Sequence, residues 1–202
     1  AEKAIDRHRG FGEAYFVRAM VYGRALQGQK DEAVRKGYVA QGLKDANDAV
    51  AFGYGDAMLF AVRGQIRDEA GDPDGAIQDL DEALRRNPDF VKAWLMRAQA
   101  KVAKGDHRGA WEDCDGALKL DAKNAQAYGF RADAKKALGD IPAAFADATE
   151  SVRLNPRGYD AWEVRGECLR ALKRYEEAIE DLEKAAILKP KLAKPRALKA
   201  GV

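Results

Sequence analysis

The chain has 202 residues, 47% hydrophobic and 34% charged, with 35 Lys and Arg against 33 Asp and Glu. That composition supplies ample apolar material for a core, yet no apolar run approaches the length of a membrane span. A net charge of +2 lacks the basic excess that usually marks a nucleic-acid binder, so a nucleic-acid partner is disfavoured.

In chain order, the first segment is KAIDRHRGF at 3–11, and it reads as the close of a second helix left over from a preceding repeat, over 1–11. EAYFVRAMV at 13–21 and YVAQGLKDANDAVAFGY at 38–54 then form a first helix pair within 12–56. This unit has 45 residues, eleven more than each later one, and the excess falls at 27–37, QGQKDEAVRKG. It is either a loop or about three added helical turns.

The later units repeat every 34 residues. MLFAVRGQI at 58–66 leads to GDPDGAIQDLDEALRRNP at 71–88, and KAWLMRAQA at 92–100 leads to GDHRGAWEDCDGALKLDA at 105–122. QAYGFRADA at 126–134 leads to GDIPAAFADATESVRLNP at 139–156, and DAWEVRGEC at 160–168 leads to KRYEEAIEDLEKAAILKP at 173–190. Each unit predicts two amphipathic helices with a Gly-Asp turn between them, and Pro88, Pro156 and Pro190 stop the second helix. No alternating pattern predicts a strand. The units run 57–90, 91–124, 125–158 and 159–192, followed by a basic tail at 193–202 read as solvated.

Positions 1–34 are counted from Ala57, Val91, Ala125 and Tyr159. Position 4 is then Phe60, Trp94, Tyr128 and Trp162, and position 8 is Gly64, Ala98, Ala132 and Gly166. Position 20 is Ala76, Ala110, Ala144 and Ala178, while position 27 is Ala83, Ala117, Ser151 and Ala185. Two helices turning near position 15 bring 4 to the height of 27, 8 to 23 and 11 to 20. Small residues there let the backbones approach, and an isolated pair still needs neighbours to bury its apolar face. This pattern resembles the tetratricopeptide repeat family over nearly the whole chain. The resemblance implies an all-α, right-handed superhelical solenoid of antiparallel helix pairs, forming a single domain over 1–202. The chain departs from the family at position 11, where Arg67, Lys101 and Lys135 replace a bulky residue. They are read as basic heads whose apolar stems lie over a neighbour.

His107 and Cys114 share a helix face with Trp111, which raises the question of a metal or nucleophile site. Their equivalents in other units are apolar, as are those of Cys168, so both cysteines are expected to be small buried hydrophobes. No second histidine or cysteine lies a turn away, and no catalytic, phosphate-binding or calcium motif occurs, so no metal, cofactor or catalytic residue is expected. The recurring polar pair is different. Position 7 is Arg18, Arg63, Arg97, Arg131 and Arg165, and position 23 is Asp45, Asp79, Asp113, Asp147 and Asp181. Their heights match, which predicts a structural Arg–Asp ladder, within or between units.

The resemblance further implies a non-enzymatic scaffold that binds a peptide or partner protein in a groove lined by first helices. Its positions 2, 5, 9, 12 and 13 give Glu13, Phe16, Met20 and Arg24 in the first unit. Next come Met58, Gln65, Asp68 and Glu69, then Lys92, Leu95, Gln99 and Val102. The last two units add Gln126, Asp133 and Lys136, then Asp160, Glu163, Glu167 and Arg170. The Lys and Asn residues with which part of the family clamps a C-terminal carboxylate are absent at positions 5 and 9. Phe16, Met20 and Leu95 are expected to face the groove, with Asp133, Glu163 and Glu167 as its acidic end. The competing reading is a regulatory or docking segment of a larger multidomain enzyme. The oligomeric state is left open by the sequence.

Overall fold

The computed structural model describes residues 2–189, with side chains from Gly10 onward. The described residues form α1 (Glu2–Leu26), α2 (Glu32–Ala51), α3 (Ala57–Glu69), α4 (Pro73–Arg86) and α5 (Val91–Ala103). They continue with α6 (His107–Leu120), α7 (Ala125–Ala137), α8 (Ile141–Leu154), α9 (Tyr159–Ala171) and α10 (Tyr175–Leu188). No strand occurs among the described residues. The basic tail at 193–202 lies outside them.

Local chemistry sets these boundaries. Asp56, Asp72, Asn124 and Asp140 accept backbone N–H bonds at the starts of α3, α4, α7 and α8, and Pro73 occupies a first-turn position that needs no N–H partner. Between the paired helices, Gly71, Gly105 and Gly139 hold φ of 78°, 81° and 87°, a conformation open to glycine without penalty. The residue after each glycine donates to a carbonyl five residues back, closing the first helix of the pair. In the last repeat Lys173 takes the same place with φ 62°.

Three features differ from the sequence-based expectations. First, α1 is one continuous helix of 25 residues, so 1–11 is not the end of a separate preceding helix. No turn signal interrupts it, and Gly12 serves a close approach instead: a Cβ there would come within 2.7 Å of Tyr54 Cβ. Second, the 27–37 excess is divided. Residues 27–31 form a connection, and the remainder lengthens α2 to 20 residues from an Asp31 cap. Third, the helices gather into two compact units, Ala1–Asp106 and His107–Val202, where the repeat predicts one domain. In a repeat array each element packs only on its neighbours, so compactness is a local property.

In the first unit, Phe16, Ala19, Ala46, Ala49 and Leu59 form one buried cluster, and Phe60, Ala61, Leu80, Ala83, Leu84 and Ala93 form another. In the second, Ala132, Ala144, Ala148, Val164 and Cys168 pack together, as do Val152, Ala161, Trp162 and Ala185. Three of these clusters join a helix pair to the first helix of the next pair, and the fourth joins α9 and α10 to the preceding α8, so packing runs on from one pair to the next within each unit. The small residues at position 8 bring the paired backbones close. A Cβ on Gly64 would meet Ala76 O and Leu80 Cγ at 3.1 Å, and one on Gly166 would meet Leu182 Cγ at 2.9 Å.

Candidate functional site

Two polar constellations could carry function: the recurring Arg–Asp pairs and the faces of the first helices. In four repeats the position-7 guanidinium forks onto the position-23 carboxylate of its own repeat. Arg18 reaches Asp45 at 2.5 and 2.6 Å, and Arg131 reaches Asp147 at 2.8 and 2.6 Å. Arg165 binds Asp181 at 2.6 and 2.7 Å, and Arg63 binds Asp79 at 2.6 to 3.0 Å. Bidentate, charge-assisted bonds of this kind fix register as well as adding energy. Each guanidinium also lies over the ring at position 4, one turn back: Tyr15, Phe60, Trp94, Tyr128 and Trp162 sit 4.7 to 5.4 Å below. The indoles of Trp94 and Trp162 in turn donate to the carbonyls of Pro88 and Pro156. Arg97 and Asp113 belong to different units. Arg97 bonds Asp81 at 2.6 Å, and Asp113 is buried within its own unit.

Sequence reasoning missed a third member of this ladder. The outer amino group of the arginine turns to position 25 of the preceding repeat: Arg63 to Asn47 at 3.0 Å, Arg97 to Asp81 and Arg131 to Asp115 at 2.5 Å. The recurrence of Asn47, Asp81 and Asp115 at one position was the available signal. The position-11 cations add to this ladder, which the sequence reading did not foresee. Beyond stems lying over a neighbour, Arg67 and Lys135 turn their heads onto Asp79 and Asp147 at 3.1 and 2.8 Å. A buried carboxylate attracts any cation within reach, which outweighs solvating the head.

The cysteines and His107 do not form a reactive site. Cys114 and Cys168 are free, buried thiols. Burial, with Asp113 nearby, pushes the Cys114 thiol up to about 12, and burial raises Cys168 as well, so neither is a thiolate near neutral pH. Among the described residues, no group of three or more His, Cys, Asp or Glu side chains could hold a metal ion.

On the first-helix faces of the first unit, the expected apolar site residues are largely withdrawn. Phe16 and Leu95 are buried, and Phe16 stacks on Tyr54 with ring centres 5.0 Å apart. Met20 is half-buried and packs on the same cluster as Phe16. The expectation that these three face a groove is therefore corrected: position 5 points into the core wherever a large apolar side chain gains by burial. Met58, Lys92 and Arg24 are exposed, and Val102 is half-buried. The polar members are engaged. Gln99 donates to Asp68 at 3.2 Å, and Gln65 donates to Gly23 O at 3.4 Å. Arg35, from the lengthened start of α2, holds both the carboxylate and the carbonyl of Glu69 at 2.7 Å. Burial, reinforced by Glu69, raises the Asp68 carboxyl above the usual range.

In the second unit, position 5 of the first complete repeat is Gly129, and a hollow of about 390 Å³ lies there between α7 and α9. Gln126, Gly129, Phe130 and Asp133 of α7 form one wall, and Asp160, Ala161 and Val164 of α9 form another. Ser151 of α8, Asn155 at its C-terminal cap, Ala125 and Gly158 complete the lining. The acidic end is partly neutralised from within. Lys136 pairs with Asp133 at 2.8 Å and with Glu167 at 2.5 Å. Burial disfavours the Lys136 ammonium, but these two bonds more than offset it and hold its pKa above the ordinary lysine value. Glu163 and Arg170 are exposed beside this cluster. The glycine that opens the hollow has no side chain, so a search for binding residues passed over it.

No described helix is long and apolar enough to cross a membrane. Structural relatives share the fold at low sequence identity. MamA 41-end from Desulfovibrio magneticus RS-1 is 16% identical, covers 87% of this chain and 97% of its own, and has a TM-score of 0.69. YrrB, described as a TPR protein with an unusual peptide-binding site, is 17% identical over 86% of this chain and 95% of its own, with a TM-score of 0.62. The first TPR of Spaghetti (RPAP3), bound to the HSP90 peptide SRMEEVD, is 24% identical over 58% of this chain and 94% of its own, at 0.57. No curated protein matches the sequence. A family model for the tetratricopeptide repeat matches residues 62–125 and 131–193, well over half the sequence, and the chain belongs to the tetratricopeptide repeat family.

Proposed function

We propose that this chain is a protein-interaction scaffold that holds an extended segment of a partner protein in the hollow between α7 and α9. The observation that carries this reading is the hollow itself, a concave site opened by Gly129 and lined by both apolar and polar groups. Ala125, Phe130, Ala161 and Val164 can take a small apolar side chain, while Asp133 and Asp160 favour a neighbouring Lys or Arg. Two structural relatives, YrrB and the Spaghetti domain, are described with a peptide-binding site or a bound peptide, which supports peptide capture as the use of this fold. The Arg–Asp ladder has a structural role in this reading, because it recurs with the repeat and its carboxylates are spent on arginines.

The test uses synthetic peptides carrying Ala, Val or Leu beside Lys or Arg, titrated into the ¹⁵N-labelled chain. Shifts should concentrate on the amides of Gly129, Asp133 and Gly158, and Gly129→Leu should abolish them. Binding that leaves these amides unmoved, or that survives Gly129→Leu unchanged, would place recognition elsewhere on the molecule.

A further inference from the structure

The 27–37 excess builds a second recess, in the first unit. Every later second helix begins at position 17: α4 at Pro73, α6 at His107, α8 at Ile141 and α10 at Tyr175. Counted back from Asp45 at position 23, position 17 of the first repeat is Val39, yet α2 begins at Glu32. Residues 32–38 are therefore about two added turns, and they stand beside the end of α3. A recess of about 440 Å³ lies between the two helices. Glu32, Arg35 and Lys36 of the added turns form one wall with Val39 and Ala40, and Asp68 and Glu69 face them from α3.

Most charges around this recess are matched from within. Arg35 Nη2 donates to the carboxylate and to the carbonyl of Glu69, both at 2.7 Å. Lys36 leans on Glu32, 3.6 Å away and one turn back on the same helix. Asp68 is different. It accepts from an amide, Gln99 Nε2 at 3.2 Å, and has no ion pair among the described residues. Burial and the adjacent Glu69 raise its carboxyl above the usual range, which the Gln99 bond only partly offsets. Three acids against two bases leave one negative charge on the lining, and the pairing within the recess puts it on Asp68.

The second unit shows the same contact with its cation in place. Asp68 and Gln99 stand at position 12 of one repeat and position 9 of the next, as do Lys136 and Glu167. There the Lys136 ammonium bridges Glu167 at 2.5 Å and Asp133 at 2.8 Å. In the first unit the corresponding bond joins a carboxylate to an amide, so the two helices are still tied but the charge is left without a counter-ion.

We propose that the recess between α2 and α3 receives a Lys or Arg side chain of a partner protein, its head on Asp68 and its stem against Val39 and Ala40. The site belongs to the first unit and does not rest on the hollow beside Gly129. With one charge-assisted contact at its centre, it is the weaker anchor of the two.

The probe is an acetylated and amidated pentapeptide, Ala-Val-Lys-Val-Ala, titrated into the ¹⁵N-labelled full chain. The amides of Val39, Ala40 and Gly71 should shift, and replacing the peptide's lysine by norleucine, which keeps the stem and removes the ammonium, should weaken this binding at least tenfold. Asp68→Asn should weaken it as much. Asn keeps the shape and still accepts from Gln99, so helicity and melting should match the parent chain. In the parent chain, ¹³C detection of the Asp68 carboxyl should show it titrating at lower pH with peptide than without, because the ammonium favours the ionised form. Gly129→Leu should leave the Val39, Ala40 and Gly71 shifts in place, so failure of the hollow and failure of this recess are read separately. A norleucine peptide that binds equally well, unchanged affinity in Asp68→Asn, or an Asp68 titration unmoved by the peptide overturns the proposal. So does n-butylammonium shifting these amides as strongly as the lysine peptide at equal concentration, since the site would then take small amines rather than a protein segment.

Discussion

The two units are built from the same helix pairs, yet they treat position 5 of the first helix differently. In the first unit it holds Phe16, Ala61 and Leu95, all buried. In the second it holds Gly129, beside a hollow, and then the exposed Glu163. Groove position and core position are thus not separate categories in this repeat. A large apolar residue placed there turns inward and is lost to binding, whereas a missing side chain leaves space that a ligand can fill. The polar groups differ as well. In the first unit Asp68 and Glu69 are held by Gln99 and Arg35, while in the second a single Lys136 bridges Asp133 and Glu167.

The largest expected effect tests whether burial grades the ladder the two units share. Arg165→Ala strands Asp181 behind a side chain only 20% exposed and should destabilise by about 3 kcal/mol. Arg18→Ala, in the first unit, removes an arginine already 56% exposed, so water can reach Asp45 and the loss should be smaller. Urea denaturation of both variants reads the difference, and equal losses would show that burial does not set the strength of these pairs.

Alkaline pH should separate the units next. Both cysteines lie in the second unit, and both thiols titrate higher when folded than when unfolded. Above the unfolded value near 8.5 the unfolded chain loses protons that the folded chain keeps, so stability falls as pH rises, by about 1.4 kcal/mol per pH unit for Cys114 and in the same direction for Cys168. For Cys114 the decline continues to about pH 12. Hydrogen exchange at pH 10 should show the second unit opening before the first, and Cys114→Ala should flatten that dependence. Equal weakening of both units would sink the assignment.

A smaller effect converts one unit's surface into the other's. Gly129→Leu should reduce peptide affinity tenfold or more, roughly 1.4 kcal/mol. Its Cβ would stand 3.3 Å from Ser151 Oγ, so a modest loss of stability should accompany it. Leu95→Ser in the first unit should do the opposite, lowering the melting temperature by uncovering core without touching peptide capture.

The smallest effect concerns the turn inside each repeat. Lys173 holds φ 62° where Gly71, Gly105 and Gly139 stand in the other repeats. Lys173→Gly should stabilise the second unit by about 0.5 kcal/mol, and Gly139→Ala should weaken it by about 1 kcal/mol. Thermal melts of the two variants moving in the same direction would mean that backbone strain does not govern this turn.

Helix pairs, their turns and the small-residue contacts were legible in the sequence because each follows from local rules applied at a fixed spacing. The starts of α3, α5, α7 and α9 coincide with position 1 of their repeats. The pairing of Arg63 with Asp79 and of Arg165 with Asp181 followed from equal heights on two antiparallel helices. The 27–37 excess was not legible, since a helix-compatible stretch can be either loop or helix until something caps it. Asp31 supplied the cap, and Arg35 found its partner in Glu69, 34 residues away.

The sequence by itself determined the family, the period and which residues are small, large or charged at each height, because hydrophobic periodicity and turn chemistry act over a few residues. Tertiary structure alone decided the direction in which position 5 points, the sharing of Asp79 and Asp147 between two cations, and the hollow beside Gly129. Each of these depends on how much space the neighbouring helices leave and which charge is within reach once they pack, and neither quantity exists in the chain before it folds.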